Sequence, residues 1–170
     1  MADLTRGRVI AKVRAGESLE GADLSGLDIT GANLSSGDLR GANLKGANLT
    51  GAYLTGTHLE GASLERADLK SARLRSANLS EANLSGAKLI RTDMSGANLS
   101  GANLSDADLS DANLWKANLT GANLLHANLT RALMAMANLR GANLIQADLT
   151  ETQLIRAELT DTILPEGFED

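Results

Sequence analysis

Leucine recurs at every fifth position along most of the chain, with Ala two places before it and polar residues between the repeats. Five residues of α-helix leave a rotation of about 140°, so such Leu residues would spiral around a helix. A straight strand would place them on alternating faces. The pattern therefore predicts a chain that bends once in every quintet and stacks on itself as a solenoid. The period is clearest in Leu99, Leu104, Leu109, Leu114, Leu119, Leu124 and Leu129.

The five-residue rhythm runs without a break from Leu19 to Leu164. It comprises 30 central positions, of which 27 are Leu, and Ala occupies 23 of the 30 positions two residues earlier. We expect both side chains to face a shared interior, with the residue between them outside. The central exceptions are Ile29, Met94 and Met134; the exceptions at the Ala position are Glu17, Leu27, Gly37, Thr57, Thr92, Thr152 and Thr162. Leu27 is the largest misfit, and we expect it to disturb the first coil.

Two further positions of the quintet carry a pattern. The residue before the central Leu is Asn or Asp in most repeats, which predicts hydrogen-bonded ladders between stacked coils. Gly recurs two places after the Leu, as at Gly96, Gly101 and Gly121, and this is typical of corners with positive φ. Because other repeats place Ser, Arg, Asp, Lys or Glu in the same slot, we expect more than one turn type.

The A-(N/D)-L-x-x quintet resembles the pentapeptide-repeat family over Leu19 to Leu164. The resemblance implies an all-β fold, a right-handed quadrilateral parallel β-helix with four repeats in each coil and about 7.5 coils. One branch of that family resembles duplex DNA, binds DNA gyrase and protects it from fluoroquinolones. Such mimicry depends on a strongly acidic surface, and that branch uses Phe in many repeats where this chain has Leu.

The flanks of the repeat predict three segments. Residues 1–16 form an N-terminal cap, in which Thr5 is a helix N-cap and residues 6–15 form a short helix with Val9, Ile10 and Val13 on its apolar side. Residues 17–164 form the β-helix and residues 165–170 a C-terminal tail. No apolar run suits a signal peptide or a membrane span, so we expect a cytoplasmic protein without membrane contact.

The amino-acid composition limits the kinds of chemistry and binding that the chain can carry out. The 170 residues include 16 basic and 21 acidic ones, for a net charge of −5, and no Cys, which excludes thiol chemistry and Cys-bound metal. The basic residues alternate with acids, which argues against direct nucleic-acid binding. His58 and His126 lack a spacing partner, and the Ser and Thr residues lack an adjacent base. We therefore predict no enzyme activity, catalytic residue, cofactor or metal.

Stacking at an interval of twenty residues, as four repeats in each coil require, aligns surface side chains in columns. Trp115, Ala135 and Ile155 form one column, Leu125 and Ile145 a second that we expect on the next side, with Leu133 and Met136 nearby. Concentrated apolar surface of this kind typically marks a contact. The candidate protein-contact surface is therefore Trp115, Leu125, Leu133, Met136, Ile145 and Ile155.

This surface favours a non-enzymatic protein-binding scaffold with a protein partner of unknown identity. A homodimer formed through the C-terminal coils is one form of that hypothesis. The alternative function is a DNA-mimicking gyrase-binding protein of the fluoroquinolone-resistance type. The competing explanation for the apolar columns is that the terminal helix or the tail covers them.

Overall fold

The computed structural model describes residues 4–168. Residues 1–3 of the expected cap and residues 169–170 of the expected tail lie outside this range. Parallel bridges join each residue before a central position to the residue twenty places later, from Asp23 with Asn43 to Asn143 with Ile163. Four quintets therefore make one coil, and the fold is the right-handed quadrilateral β-helix expected from the resemblance.

The coils are joined by hydrogen bonds that run along the axis. The Leu99 N–H donates to the Asn118 carbonyl at 2.7 Å, and the Asn118 N–H donates to the Ala97 carbonyl at 2.9 Å. The pairings are isolated bridges rather than continuous strands, because each side of the coil is only a few residues long before the chain turns. We number the four sides by the central residue they carry. Side 1 holds Leu99, side 2 Leu104, side 3 Leu109 and side 4 Leu114, each with the residues twenty places before and after.

The interior is a column of Leu and Ala. Central residues from Leu24 to Leu144 are at most 1% exposed, and so are most of the Ala residues two places before them. The Thr residues that replace Ala satisfy their hydroxyl groups on backbone carbonyls. Thr57 Oγ1 donates to the Leu34 carbonyl at 2.9 Å, and Thr92 Oγ1 donates to the Leu89 carbonyl at 2.7 Å. A polar side chain is tolerated in the core because it is hydrogen-bonded.

The expected disturbance at Leu27 is wrong. The Leu27 N–H donates to the Leu24 carbonyl at 3.2 Å, and the Leu27 carbonyl accepts from the Asn48 N–H at 3.0 Å, as in a regular repeat. Leu27 belongs to the first coil, so it has a neighbouring coil on one side only, and it packs half-buried against the core. The larger side chain fits because no further coil is stacked above it.

The expectation of several turn types is also wrong. Every residue two places after a central residue, from Gly21 to Asp161, has a positive φ between 53° and 66°, whether or not it is Gly. The N–H of the following residue donates to the central carbonyl, as Ala102 does to Leu99 at 3.0 Å. Positive φ at the third residue alone is the pattern of a type II turn. Stacking imposes one corner geometry, and non-glycine residues such as Arg66 adopt it at a cost of about 1 to 2 kcal/mol each.

The one helix among residues 4–168, α1, spans Arg6–Arg14 and ends one residue earlier than predicted. Thr5 is the N-cap, with its Oγ1 accepting from the Arg8 N–H at 3.4 Å. Within α1, Val9 is fully buried, and Ile10 and Val13 are half-buried and pack against the core of the tube.

Gly37 makes this packing of α1 possible. It replaces the Ala of its repeat, and a Cβ there would lie 2.9 Å from the Leu34 carbonyl oxygen and 3.2 Å from Val13 Cγ1. The absence of a Cβ therefore leaves room for Val13 of α1 at the N-terminal end of the tube.

Candidate protein-contact surface

Four of the predicted surface residues form one contiguous group, which we call the lateral patch: Trp115, Leu133, Met136 and Ile155. They are 44%, 40%, 44% and 68% exposed, and α1 and the chain through Phe168 leave them uncovered. The bridge of Asn113 with Leu133 and the bond from the Met136 N–H to the Ile155 carbonyl (2.9 Å) place them on consecutive coils. The patch occupies side 4 and the corner that follows it.

Leu125 and Ile145 lie elsewhere, and their expected position on the side next to Trp115 is wrong. A spacing of ten residues is half a coil, so Leu125 follows side 2, which is opposite side 4. Ile145 is exposed, whereas Leu125 is half-buried. The six predicted residues thus form two groups on opposite sides of the rod rather than one surface.

The structure adds two exposed apolar residues that the column analysis missed, Tyr53 and Ile163. Ile163 pairs with Asn143 on side 2 and extends the group formed by Leu125 and Ile145. Tyr53 lies on side 4 far from the lateral patch, with the Arg73 guanidinium 4.7 Å from its ring centroid. The signal that could have found them is the slot before the central Leu, where Tyr53, Leu133 and Ile163 are the only apolar residues.

Elsewhere that slot builds the predicted ladders, which are confirmed. Asn98 Nδ2 donates to Asn78 Oδ1 at 3.0 Å, and Asn118 Nδ2 donates to Asn98 Oδ1 at 3.1 Å. The same Asn98 Oδ1 accepts from the Ser100 N–H at 3.2 Å, which fixes the side chain beside its own turn. On side 4 the ladder stops at Asn113, since the next residue of the column is Leu133. The lateral patch therefore begins where the polar ladder ends.

Many charged side chains on the shaft are paired with opposite charges. Lys45 Nζ lies 2.9 Å from Glu65 Oε2, and Arg131 Nε lies 2.7 Å from Asp111 Oδ1. Hydrogen bonds from Arg131 lower the pKa of the Asp111 carboxyl from its ordinary value. The pairing neutralises the wall locally, so the shaft presents no extended field of one sign.

The two histidines each have a carboxylate within reach, but on open surface. His58 Nδ1 lies 3.2 Å from Glu60 Oε1 beside a shallow depression of about 410 Å³. His126 stands on a corner with Nδ1 3.2 Å from Asp106 Oδ1 and Nε2 2.7 Å from Gln146 Oε1. Both rings are about half exposed, so neither site excludes water from a reaction. Within residues 4–168, no three His, Asp or Glu side chains are placed to hold a metal ion.

The fold and its surface define a class of protein: a rigid β-helical repeat rod with a polar shaft and apolar residues near its C-terminal end. Comparison with known protein families identifies this class as the pentapeptide repeat proteins. Eight copies of the pentapeptide repeat model match the chain in overlapping segments between residues 18 and 165, and the chain belongs to that family. No helix in the described part of the chain has the length and apolar character needed to cross a bilayer.

Solved structures similar to the chain are pentapeptide repeat proteins. Rfr23 from the cyanobacterium Cyanothece 51142 is 46% identical with a TM-score of 0.53, over 54% of this chain and 63% of that protein. HetL from Nostoc sp. strain PCC 7120, which is involved in heterocyst differentiation regulation, is 30% identical over 99% of this chain and 100% of its own, with a TM-score of 0.45. QnrB1, a plasmid-mediated fluoroquinolone resistance protein, is 20% identical with a TM-score of 0.69, over 86% of this chain and 69% of its own, a likeness of fold alone. None of the curated proteins compared with the chain matches it.

Proposed function

We propose that the protein is a non-enzymatic binding rod of the cytoplasm that contacts another protein through the lateral patch. One observation carries the proposal. Of the seven large apolar side chains that residues 4–168 leave exposed, six lie between Trp115 and Ile163. The shaft before them is covered by polar ladders and ion pairs, so apolar surface is concentrated in the last coils.

The lateral patch has the features of a binding centre. Trp115 offers a large aromatic surface. Lys116 Nζ lies 4.3 Å from the centroid of the Trp115 ring, so a positive charge borders the lateral patch. The coil beneath is held by axial hydrogen bonds, including the one from the Lys116 N–H to the Ala135 carbonyl at 3.1 Å. A rigid wall of this kind loses little conformational entropy on binding.

A second copy of the chain is the simplest partner to test, because one patch on each copy gives a two-fold contact. We expect sedimentation velocity to show a dimer for the wild type and a monomer for the double variant Trp115→Ser, Ile155→Ser. Both side chains are exposed on the wall, so their replacement leaves the core intact.

The matched control is Ile145→Ser with Ile163→Ser on the opposite side, which should remain a dimer. A wild type that is monomeric at high protein concentration would remove self-association and leave a different protein as the partner. Dissociation by both double variants alike would contradict a contact confined to the lateral patch.

The alternative function, a DNA-mimicking gyrase-binding protein, requires a different kind of surface. A DNA mimic needs an acidic shaft, whereas residues 37–144 contain eleven basic and nine acidic residues. Pairs such as Lys45 with Glu65 further cancel the charge along the wall. We therefore expect excess purified protein to leave gyrase supercoiling unchanged, with or without a fluoroquinolone. Inhibition of supercoiling, or protection from the drug, would replace the binding-rod proposal by the DNA-mimic function.

A further inference from the structure

The two ends of the tube differ in how their interior is covered. At the N-terminal end α1 lies across the first coil, and Leu24 and Ile29 are at most 1% exposed. At the C-terminal end the equivalent residues of the last coil are only half-buried. These are Leu149, Leu154, Leu159 and Leu164. The last coil therefore presents an apolar floor that residues 4–168 cover only in part.

The last coil also carries backbone groups that inner coils pair. In the interior, the N–H of a central residue donates to the next coil, as Leu139 does to the Glu158 carbonyl at 2.8 Å. No acceptor among the described residues meets the N–H groups of Leu154 and Leu159. A partner bound on this end would shield these N–H groups from solvent.

Charge is distributed unevenly between the shaft and the ends. The first coil, residues 17–36, contains four acidic residues and no basic one. The last coil, residues 145–164, contains four acidic residues and one basic residue, Arg156. Between them, residues 37–144 hold slightly more bases than acids. Acidic rims are thus a property of the two ends.

The N-terminal end of the tube has the same character, an interior of Leu with acidic residues around it, and it is covered by α1. The inner face of α1 places Val9, Ile10 and Val13 on the first coil, and its other residues include four basic side chains and no acidic one. Lys12 pairs with Glu17, and Arg6 donates to the Thr30 carbonyl at 3.0 Å. Arg6 also lies close enough to Asp28 to contribute to the lowering of its pKa, after the hydrogen bonds from Thr30. Apolar contact in the centre and charge pairing at the rim act together.

We propose that the last coil is the docking site of a basic amphipathic helix supplied by a partner protein. Its apolar side chains would lie on the floor of Leu154, Leu159 and Leu164, and its basic side chains would face Asp148, Glu151 and Glu158 on the rim. The fourth rim carboxylate, Asp161, already lies 4.0 Å from Arg140 Nε. A second copy stacked end to end would instead bring two acidic rims together, which like charges oppose. This end surface is distinct from the lateral patch, and the proposal does not depend on the function proposed for that patch.

The test uses the full chain and a labelled synthetic peptide with blocked termini and the sequence of residues 4–16. We expect saturable binding by fluorescence anisotropy, weakened about tenfold by Glu151→Lys with Glu158→Lys, since each rim charge contributes a modest attraction that reversal turns into repulsion. Both residues are exposed and in no ion pair of the described chain, so the variant keeps its fold. Amide exchange of Leu154 and Leu159 should slow when the peptide is bound.

Two controls locate the site. The variant Glu81→Lys with Asp106→Lys carries the same charge change on the shaft and should bind as the wild type does, and a peptide with Ser in place of Val9, Ile10 and Val13 should not bind. No binding of the parent peptide, or equal binding to both charge variants, would overturn the proposal. A wild-type dimer that Glu151→Lys with Glu158→Lys alters in sedimentation would overturn it as well, because the end would then bind a second copy.

Discussion

Replacing Leu109 by Ala is expected to lower the free energy of unfolding by about 2 to 5 kcal/mol, the range found for buried Leu truncations. Leu109 is completely buried in the middle of the rod. Its coil is fixed on both sides, because the Leu109 N–H donates to the Asn128 carbonyl at 2.7 Å and the Asp108 N–H donates to the Ala87 carbonyl at 3.0 Å. The wall cannot close around the missing methyl groups, so the cavity persists and the cost lies in the upper part of the range.

The control for position is Leu164→Ala in the last coil. Leu164 is half-buried and has a neighbouring coil on one side only, so its truncation removes less contact and leaves no closed cavity. Urea unfolding followed by circular dichroism measures both losses in the same chain. Equal losses at the two sites would contradict a stacked interior in which each coil depends on its neighbours.

The interior of this fold could be predicted from spacing alone. A period of five excludes helix and straight strand, so the burial of Leu99 or Leu109 follows from geometry and needs no knowledge of the contacts. Helix α1 was predictable for a local reason, since Thr5 and the apolar spacing of Val9 and Val13 lie within one short segment. The number of repeats in each coil came from the resemblance, because spacing shows that the chain bends but not by how much.

What the sequence could not supply depends on contacts between distant residues. A Cβ at Gly37 would lie 2.9 Å from the Leu34 carbonyl oxygen, 3.1 Å from Leu39 Cδ1 and 3.2 Å from Val13 Cγ1, and the last of these contacts comes from a residue far away in the chain. Arg66 adopts a glycine-like φ because the coils on either side impose the corner. Ile145 and Trp115 are thirty residues apart, which is one and a half coils, so they lie on opposite sides and not on the neighbouring sides that we expect from the columns.

The candidate surface, too, was predictable from the sequence only in part. The apolar character of Trp115 and Ile155 can be read from the sequence, and their alignment follows once the coil length is known. The uncovered end of the tube cannot be read this way, because Leu154 occupies the same slot as the buried Leu114. Only the stacking order shows that one is enclosed between two coils and the other is not.

The second large effect is expected from adding volume rather than removing it. Ala107→Leu should destabilise the protein by about 1 to 3 kcal/mol, the usual cost of overpacking. Ala107 is 1% exposed and lies between Ala87 and Ala127 of the adjacent coils. Its carbonyl accepts from the Asn128 N–H at 2.9 Å, so the coil spacing cannot widen without breaking axial hydrogen bonds.

The same substitution at the end of the rod distinguishes two causes of destabilisation. One is a lack of space between stacked coils, and the other is that Leu is unfavourable at this position of the repeat in any coil. Ala157 occupies the same position of its repeat in the last coil and is half-buried, so Ala157→Leu should be neutral or slightly stabilising in the same urea experiment. Leu27 shows that a Leu in this slot is compatible with the turn and the ladder when one side is free of a stacked coil. If Ala107→Leu lowered the free energy of unfolding no more than Ala157→Leu does, the interior would have to contain free space beside Ala107, which contradicts the close stacking of the buried Ala residues. The small residue would then be a preference of the turn rather than a consequence of stacking.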